Sequence, residues 1–139
     1  MRQFESGATR DSDVEKFDYE GFFSPLVLER RARYMHKHRK QADGKLRDSD
    51  NWQRGIPLTA YMKSGFRHFH DWWRFHRTFV LSGKPVSNFC FDLIEDSICA
   101  LMFNCEGYLH ELLKKRYEAN GAVFWKATDE VPHEAVHGG

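Results

Sequence analysis

The stretch NFCFDLIEDSICALMFNCEGYLHELLKKR, residues 88–116, reads as one long helix, and its side-chain pattern decides the fold. Its acids, Asp92, Glu95, Asp96 and Glu106, fall on one stripe with Cys99, Phe103 and His110 between them. At 3.6 residues per turn these positions lie within about 100° of one another. Leu93, Ile94, Ile98, Leu101, Cys105, Leu109 and Leu112 cover much of the remaining surface, so the helix is apolar on nearly all sides except an acidic strip. Cys99 and Phe103 inside that strip indicate that it faces protein. Buried carboxylates without a partner are costly, so cations are expected beside them, either a divalent metal or Lys and Arg. Acids in the first turns of a helix also favour the positive end of its dipole by about 0.3–1 kcal/mol each, so Asp92, Glu95 and Asp96 equally suit a solvated N-terminal face.

Outward from this helix, Ser24-Pro25 supplies a cap and a first-turn proline ahead of LVLERRARYMHKHRK, which predicts a helix over 25–40. A polar loop follows to Pro57 with Trp52 as its one large ring, either pinned under the domain or stacking on a flat partner. A second helix is predicted over 58–80, with Met62, Gly65, Phe66, Phe69, Trp72, Trp73 and His76 on its apolar stripe. After a turn at Ser82–Pro85, Ser87 or Asn88 caps the long helix, and Asn120-Gly121 stops it. The expectation is an all-α bundle of three to four helices forming one domain over residues 1–133, with an irregular charged arm at 1–23 and a loose tail at 134–139. The high aromatic content, 15%, suggests a bundle completed by homo-oligomerisation into a dimer or tetramer.

With 21 basic against 20 acidic residues the net charge is +1, which supplies no field for nucleic acid as a partner. Cys90, Cys99 and Cys105 form no CxxC pair, and their spacing along one helix forbids disulfides among themselves, so a reduced cytoplasmic protein is expected. The polar N-terminus and the lack of a long apolar run predict neither signal peptide nor membrane span.

For chemistry, the second and third helices offer His68-x-x-Asp71 and Asp92-x-x-Glu95-Asp96. Acids at such spacings on neighbouring antiparallel helices suit hard cations such as Mg²⁺ or Mn²⁺. Glu29, Arg33 and His36 mark a polar stripe on the first helix that would look into the same cleft, and Lys63 and Arg67 would meet phosphate or remain exposed. No phosphate loop, GxGxxG, GxSxG or HExxH occurs. His70-Asp71 is a literal HD dipeptide and keeps an HD-type dNTP triphosphohydrolase as an alternative.

The motifs GATRD at 7–11, NWxxGxP at 51–57 and Arg67-His68 ahead of Trp72-Trp73 together resemble the phage dATP/dGTP pyrophosphohydrolases of MazZ type, relatives of the all-α MazG-like nucleotide pyrophosphatases. The resemblance covers roughly residues 5–113. It implies hydrolysis of a purine dNTP, dGTP or dATP, between the α- and β-phosphates with two or more Mg²⁺ or Mn²⁺ ions, in the host cytoplasm, supplying dGMP for 2-aminoadenine DNA. It differs from the better-known pattern of ExxE facing ExxD. Under it Glu29, Asp71, Asp92, Glu95, Asp96 and His68 are the candidate metal ligands, with Glu95 and Asp96 the candidate catalytic groups and Glu95 the base. Lys63, Arg67 and Lys16 would hold phosphate, and Asn51, Trp52 and Asn104 the base. A non-catalytic nucleotide-binding module and a purely structural dimer are the readings from other classes.

Overall fold

The computed structural model describes residues 2–12 and 16–120. Helix accounts for 66% of it, in four helices against one short two-stranded sheet, and the protein is an all-α helical bundle. Where the sequence suggests one domain, the chain divides into two compact units, one from Pro25 to Arg116 and one of the residues before and after them. The expected domain end at 133, the extended piece after Gly121 and the tail 134–139 lie outside the described residues. No helix among the described residues is long and apolar enough to cross a membrane.

In the N-terminal segment the arm expected to be irregular forms two short elements. Strands β1 (Arg2–Gln3) and β2 (Thr9–Arg10) pair antiparallel, Arg2 opposite Arg10. Gly7 at φ 87° makes the reversal, in a conformation that side chains with a Cβ rarely adopt. Helix α1 (Tyr19–Phe22) is held at its start by Asp18, whose carboxylate accepts from the Gly21 amide at 2.8 Å.

The central unit contains α2 (Pro25–Lys37), α3 (Leu58–Phe75) and most of α4 (Asn88–Asn120). Helix α2 ends three residues earlier than its sequence pattern suggests. Beyond it the backbone folds back at Gly44 (φ 83°), with Arg47 N donating to Arg39 O at 2.7 Å and Gln41 N to Lys45 O at 2.8 Å, so residues 38–40 leave the helix and 39–41 pair with 45–47. Asn51–Arg54 forms a 3₁₀ turn. The second predicted helix, 58–80, splits into α3 and a π-helical turn over His76–Val80. Helix α4 starts where expected, the Ser87 hydroxyl accepting from the Cys90 amide at 3.2 Å.

Helices α3 and α4 meet over small residues. A Cβ placed on Gly65 would lie 3.3 Å from Asn104 Cβ, and one on Gly107 would overlap the ring of Tyr61. Tyr61 is 2% exposed and stands edge-on to Phe103 at 6.0 Å. Cys99 and Ala100 complete this core. The buried polar groups on α4 satisfy themselves within the helix: Ser97 Oγ donates to Leu93 O at 2.9 Å and Asn104 Nδ2 to Ala100 O at 2.7 Å. Only part of the predicted α3 stripe is covered. Gly65 of that stripe faces α4 together with Tyr61, which lies outside it, whereas Met62, Phe66, Phe69 and Trp73 are exposed.

The close approach at Gly107 leads to two expectations. Gly107→Ala forces the Tyr61 ring to move and should destabilise the fold by about 1–3 kcal/mol, as overpacking does. Tyr61→Phe removes a buried hydroxyl that has no hydrogen-bond partner and should leave the melting temperature unchanged or raised. Thermal denaturation of both variants checks the pair, and a melting temperature for Gly107→Ala equal to that of the parent would rule out the tight contact.

Candidate functional site

The acidic strip of α4 faces α2. Arg30 spans two of its carboxylates, donating from Nε to Glu95 Oε1 at 2.6 Å and from Nη2 to Asp96 Oδ1 at 2.7 Å. Lys37 Nζ donates to Asp96 Oδ2, and Arg31 Nη2 to Glu106 Oε2 at 3.0 Å. Asp92, Glu95 and Asp96 line a shallow recess together with Arg30, Arg33 and Lys37. Of the two partners expected beside the strip, Lys and Arg are the ones present. The hydrogen bond to Asp96 holds the Arg30 guanidinium above its ordinary range despite burial. Burial acts to raise the Asp96 carboxyl, but hydrogen bonds from Lys37 and Arg30 overcome it and the net shift is downward.

This arrangement corrects the register expected for α2. The stripe that meets α4 is Arg30, Tyr34 and Lys37, one position on from Glu29, Arg33 and His36. Glu29 does not line the recess and pairs instead with Arg33 of its own helix at 2.8 Å, Arg33 standing at the recess rim.

A separate cleft of about 250 Å³ opens between the end of α2, the loop after it, α3 and α4. Trp52, on the 3₁₀ turn, lines it and packs edge-on against His110 at 4.7 Å. That turn is held by Asn51 N donating to Asp48 O at 3.1 Å and by the Arg54–Asp48 ion pair at 3.0 Å. Asn51, Asn104, Ser49 and Ser64 add amides and hydroxyls, while His38, His68 and Arg47 add nitrogen donors. Tyr34 lies against His38 with ring centroids 4.4 Å apart. Burial pushes the His38 imidazole down, as does the neighbouring Lys37, and the charge of Asp96 opposes them. Burial raises the Tyr34 hydroxyl and Asp96 raises it further. Asp96 thus acts electrostatically on two side chains of the cleft, and Lys37, its partner, sits 5.7 Å from the Tyr34 ring. Cleft and acidic recess are linked through Tyr34, Lys37 and His38.

The candidates from the sequence therefore separate. Asn51, Trp52, His68 and Asn104 come together in the cleft, and Asp92, Glu95 and Asp96 in the recess. Asp71 lies 3.9 Å from Arg74 on its own helix and lines neither. Lys63 and Arg67 are exposed on α3 and line neither, and Lys16 is exposed in the N-terminal segment. His70 of the HD dipeptide is exposed and lies beside Trp73 at 5.9 Å. Sequence reasoning missed Arg30 and Lys37, whose spacing of seven was a usable signal. It also missed His38, at the end of α2, and Arg47, which reaches the cleft because the chain folds back at Gly44.

By donor chemistry the recess fits a hard divalent cation: three carboxylates at i, i+3 and i+4, with oxygen ligands only. Among the described residues no three His, Cys, Asp or Glu side chains converge into a ready coordination set. A metal held at this recess would have to displace Arg30 or Lys37 from Asp96, both of whose oxygens they occupy.

No family model, curated protein or solved structure matches the chain.

The pairing of Asp96 gives a pH dependence of fixed sign. Its folded-state pKa lies below the ordinary carboxylate value, so its contribution to stability is present above about pH 4 and is lost as pH falls through the folded value. Asp96→Asn should melt lower than the parent near neutral pH, and the gap should narrow as pH falls below about 4. Melting curves across this range check it, and a gap independent of pH contradicts the ion-pair account.

Proposed function

We propose that the chain hydrolyses a purine deoxynucleoside triphosphate, dGTP or dATP, to the monophosphate and pyrophosphate. The observation that carries this reading is the cleft holding a large ring, two amides, two imidazoles and a guanidinium, electrostatically coupled through Asp96 to a three-carboxylate recess. The resemblance in the NWxxGxP and Arg67-His68 motifs supports it, since Asn51, Trp52 and His68 are among the residues that gather in that cleft.

The cleft is smaller than the about 300–1,000 Å³ of sites that enclose a whole ligand, so it suits the base and sugar, with the phosphates extending outward. Trp52 offers a face for stacking, and the amides of Asn51 and Asn104 offer donors and acceptors to the base edge. Arg47 and His38 take the phosphate role that the sequence assigns to Lys63 and Arg67. Asp92, Glu95 and Asp96 would hold Mg²⁺ or Mn²⁺, which supplies charge neutralisation of the triphosphate and a lowered pKa for the attacking water. Arg30 holds Glu95 by Oε1, leaving Oε2 to accept a proton from water. The water oxygen then bonds to the α-phosphorus, the bridging bond to the β-phosphate breaks, and pyrophosphate leaves.

Incubation with dGTP and Mg²⁺ or Mn²⁺ should give dGMP and pyrophosphate by chromatography. Deoxyguanosine with inorganic triphosphate would instead indicate the HD-type reaction, and binding without turnover a nucleotide-sensing module. Glu95→Gln and Asp96→Asn should each lower kcat by about a hundredfold or more, the usual scale for losing a base or a metal-organising group. Near-parental turnover in both would remove the acidic strip from the mechanism. Trp52→Ala should raise KM for dGTP, its stacking being worth about 1–3 kcal/mol, whereas a lower melting temperature with unchanged KM would assign the ring to packing on His110.

A further inference from the structure

Both carboxylate oxygens of Asp96 are engaged from α2, Oδ1 by Arg30 Nη2 and Oδ2 by Lys37 Nζ. The two cations are not equivalent. Arg30 also donates from Nε to Glu95 Oε1, so its planar fork is tied at two carboxylates, and its side chain is 27% exposed. Lys37 is a point charge on a flexible stem, donates to Asp96 alone and is 51% exposed. An ion pair this open to water is held weakly. Lys37 is therefore the partner that leaves Asp96 readily, and Arg30 the one that stays.

The position of Lys37 gives it a second destination. Its side chain lines the acidic recess, while Tyr34, three residues before it, and His38, the next residue, line the cleft. Around the helix Lys37 stands about 60° from Tyr34 and about 100° from His38. Its Nζ is already 5.7 Å from the Tyr34 ring. We propose that Lys37 is a cation shared between the two sites: it pairs with Asp96 while the cleft is empty and turns to the α-phosphate of a bound nucleotide, leaving Asp96 Oδ2 open to a divalent cation. The proposal rests on the nucleotide reading above and adds to it a rule for loading the site. A phosphate at the cleft draws Lys37 out of the recess, and a cation in the recess drives Lys37 towards the cleft. Each ligand then tightens the other by the same factor, as linkage requires. Throughout the exchange Arg30 keeps Glu95 and Asp96 in register.

The test uses the full chain with Mn²⁺, followed by the paramagnetic resonance signal of the free ion, and dGMP, which carries the α-phosphate but no α–β bond to cleave. Saturating dGMP should tighten Mn²⁺ binding about fivefold or more, and Mn²⁺ should tighten dGMP binding equally. Lys37→Met should bind Mn²⁺ several-fold more tightly than the parent without dGMP and lose most of the coupling. Arg33→Met removes the same charge from the same recess but no bond to Asp96, and should keep the coupling of the parent, which separates exchange from a general change of field. Should Lys37→Met unfold, the side-chain ¹³Cε–¹Hε signal of Lys37 in the unaltered chain decides the matter: it should shift on addition of dGMP alone and of Mg²⁺ alone. If dGMP does not bind, the nucleotide reading and this proposal fall together. If dGMP binds, then coupling as strong in Lys37→Met as in the parent, a Lys37 signal that dGMP leaves unmoved, or a parent chain that takes no Mn²⁺ overturns the exchange alone.

Discussion

Arg30 is the residue on which the arrangement of the central unit depends. Its planar fork binds carboxylates on successive residues of α4, so it fixes both the height of α2 along α4 and the rotation of α2 about its own axis. A single ammonium would not fix the rotation. With Arg30 inward, Tyr34 and Lys37 follow on the same face one and two turns later, and His38 is delivered to the cleft as the helix ends. Arg31, the next residue, reaches Glu106 three turns further along α4, so two adjacent guanidiniums hold two stretches of the same acidic strip. The pairs are partly exposed, and their value lies more in specifying register than in net stability.

The other constraint is steric. Gly65 and Gly107 let α3 approach α4 closely enough for Tyr61 to be fully enclosed, and that approach leaves the remaining half of the α3 stripe uncovered among the described residues. An intimate contact on one side and, among the described residues, an uncovered aromatic band on the other are thus two results of the same rotation of α3.

Helix α4 was legible in the sequence because its apolar residues are so numerous that only one face was left for the acids, and because Cys99 and Phe103 within that face showed it to be covered. The partner stripe on α2 was harder to read. Glu29, Arg33 and His36 are as regularly spaced as Arg30, Tyr34 and Lys37, and periodicity alone does not tell which of two polar stripes turns inward when both carry cations. The cleft was legible only in its Trp52, Asn51, His68 and Asn104 portion. Arg47 is brought there by a backbone reversal that depends on one left-handed glycine in a polar loop, and nothing in the local pattern marks where such a loop returns.

The π-helical turn at the end of α3 has a consequence for chain length. Five residues, His76–Val80, close a loop that the α-helix closes with about four, and the Leu81 amide reaches back to His76 O at 3.0 Å. The segment therefore holds one residue in reserve. A single deletion there would let the α ladder run on with its hydrogen bonds intact, four residues closing the turn that five close now, so that what lies beyond keeps its direction. Elsewhere in α3 the same deletion would move Tyr61 or Gly65 off its seat. The end of α3 is thus the place where this chain absorbs a change of length with least effect on its core and on the way its two longest helices are joined.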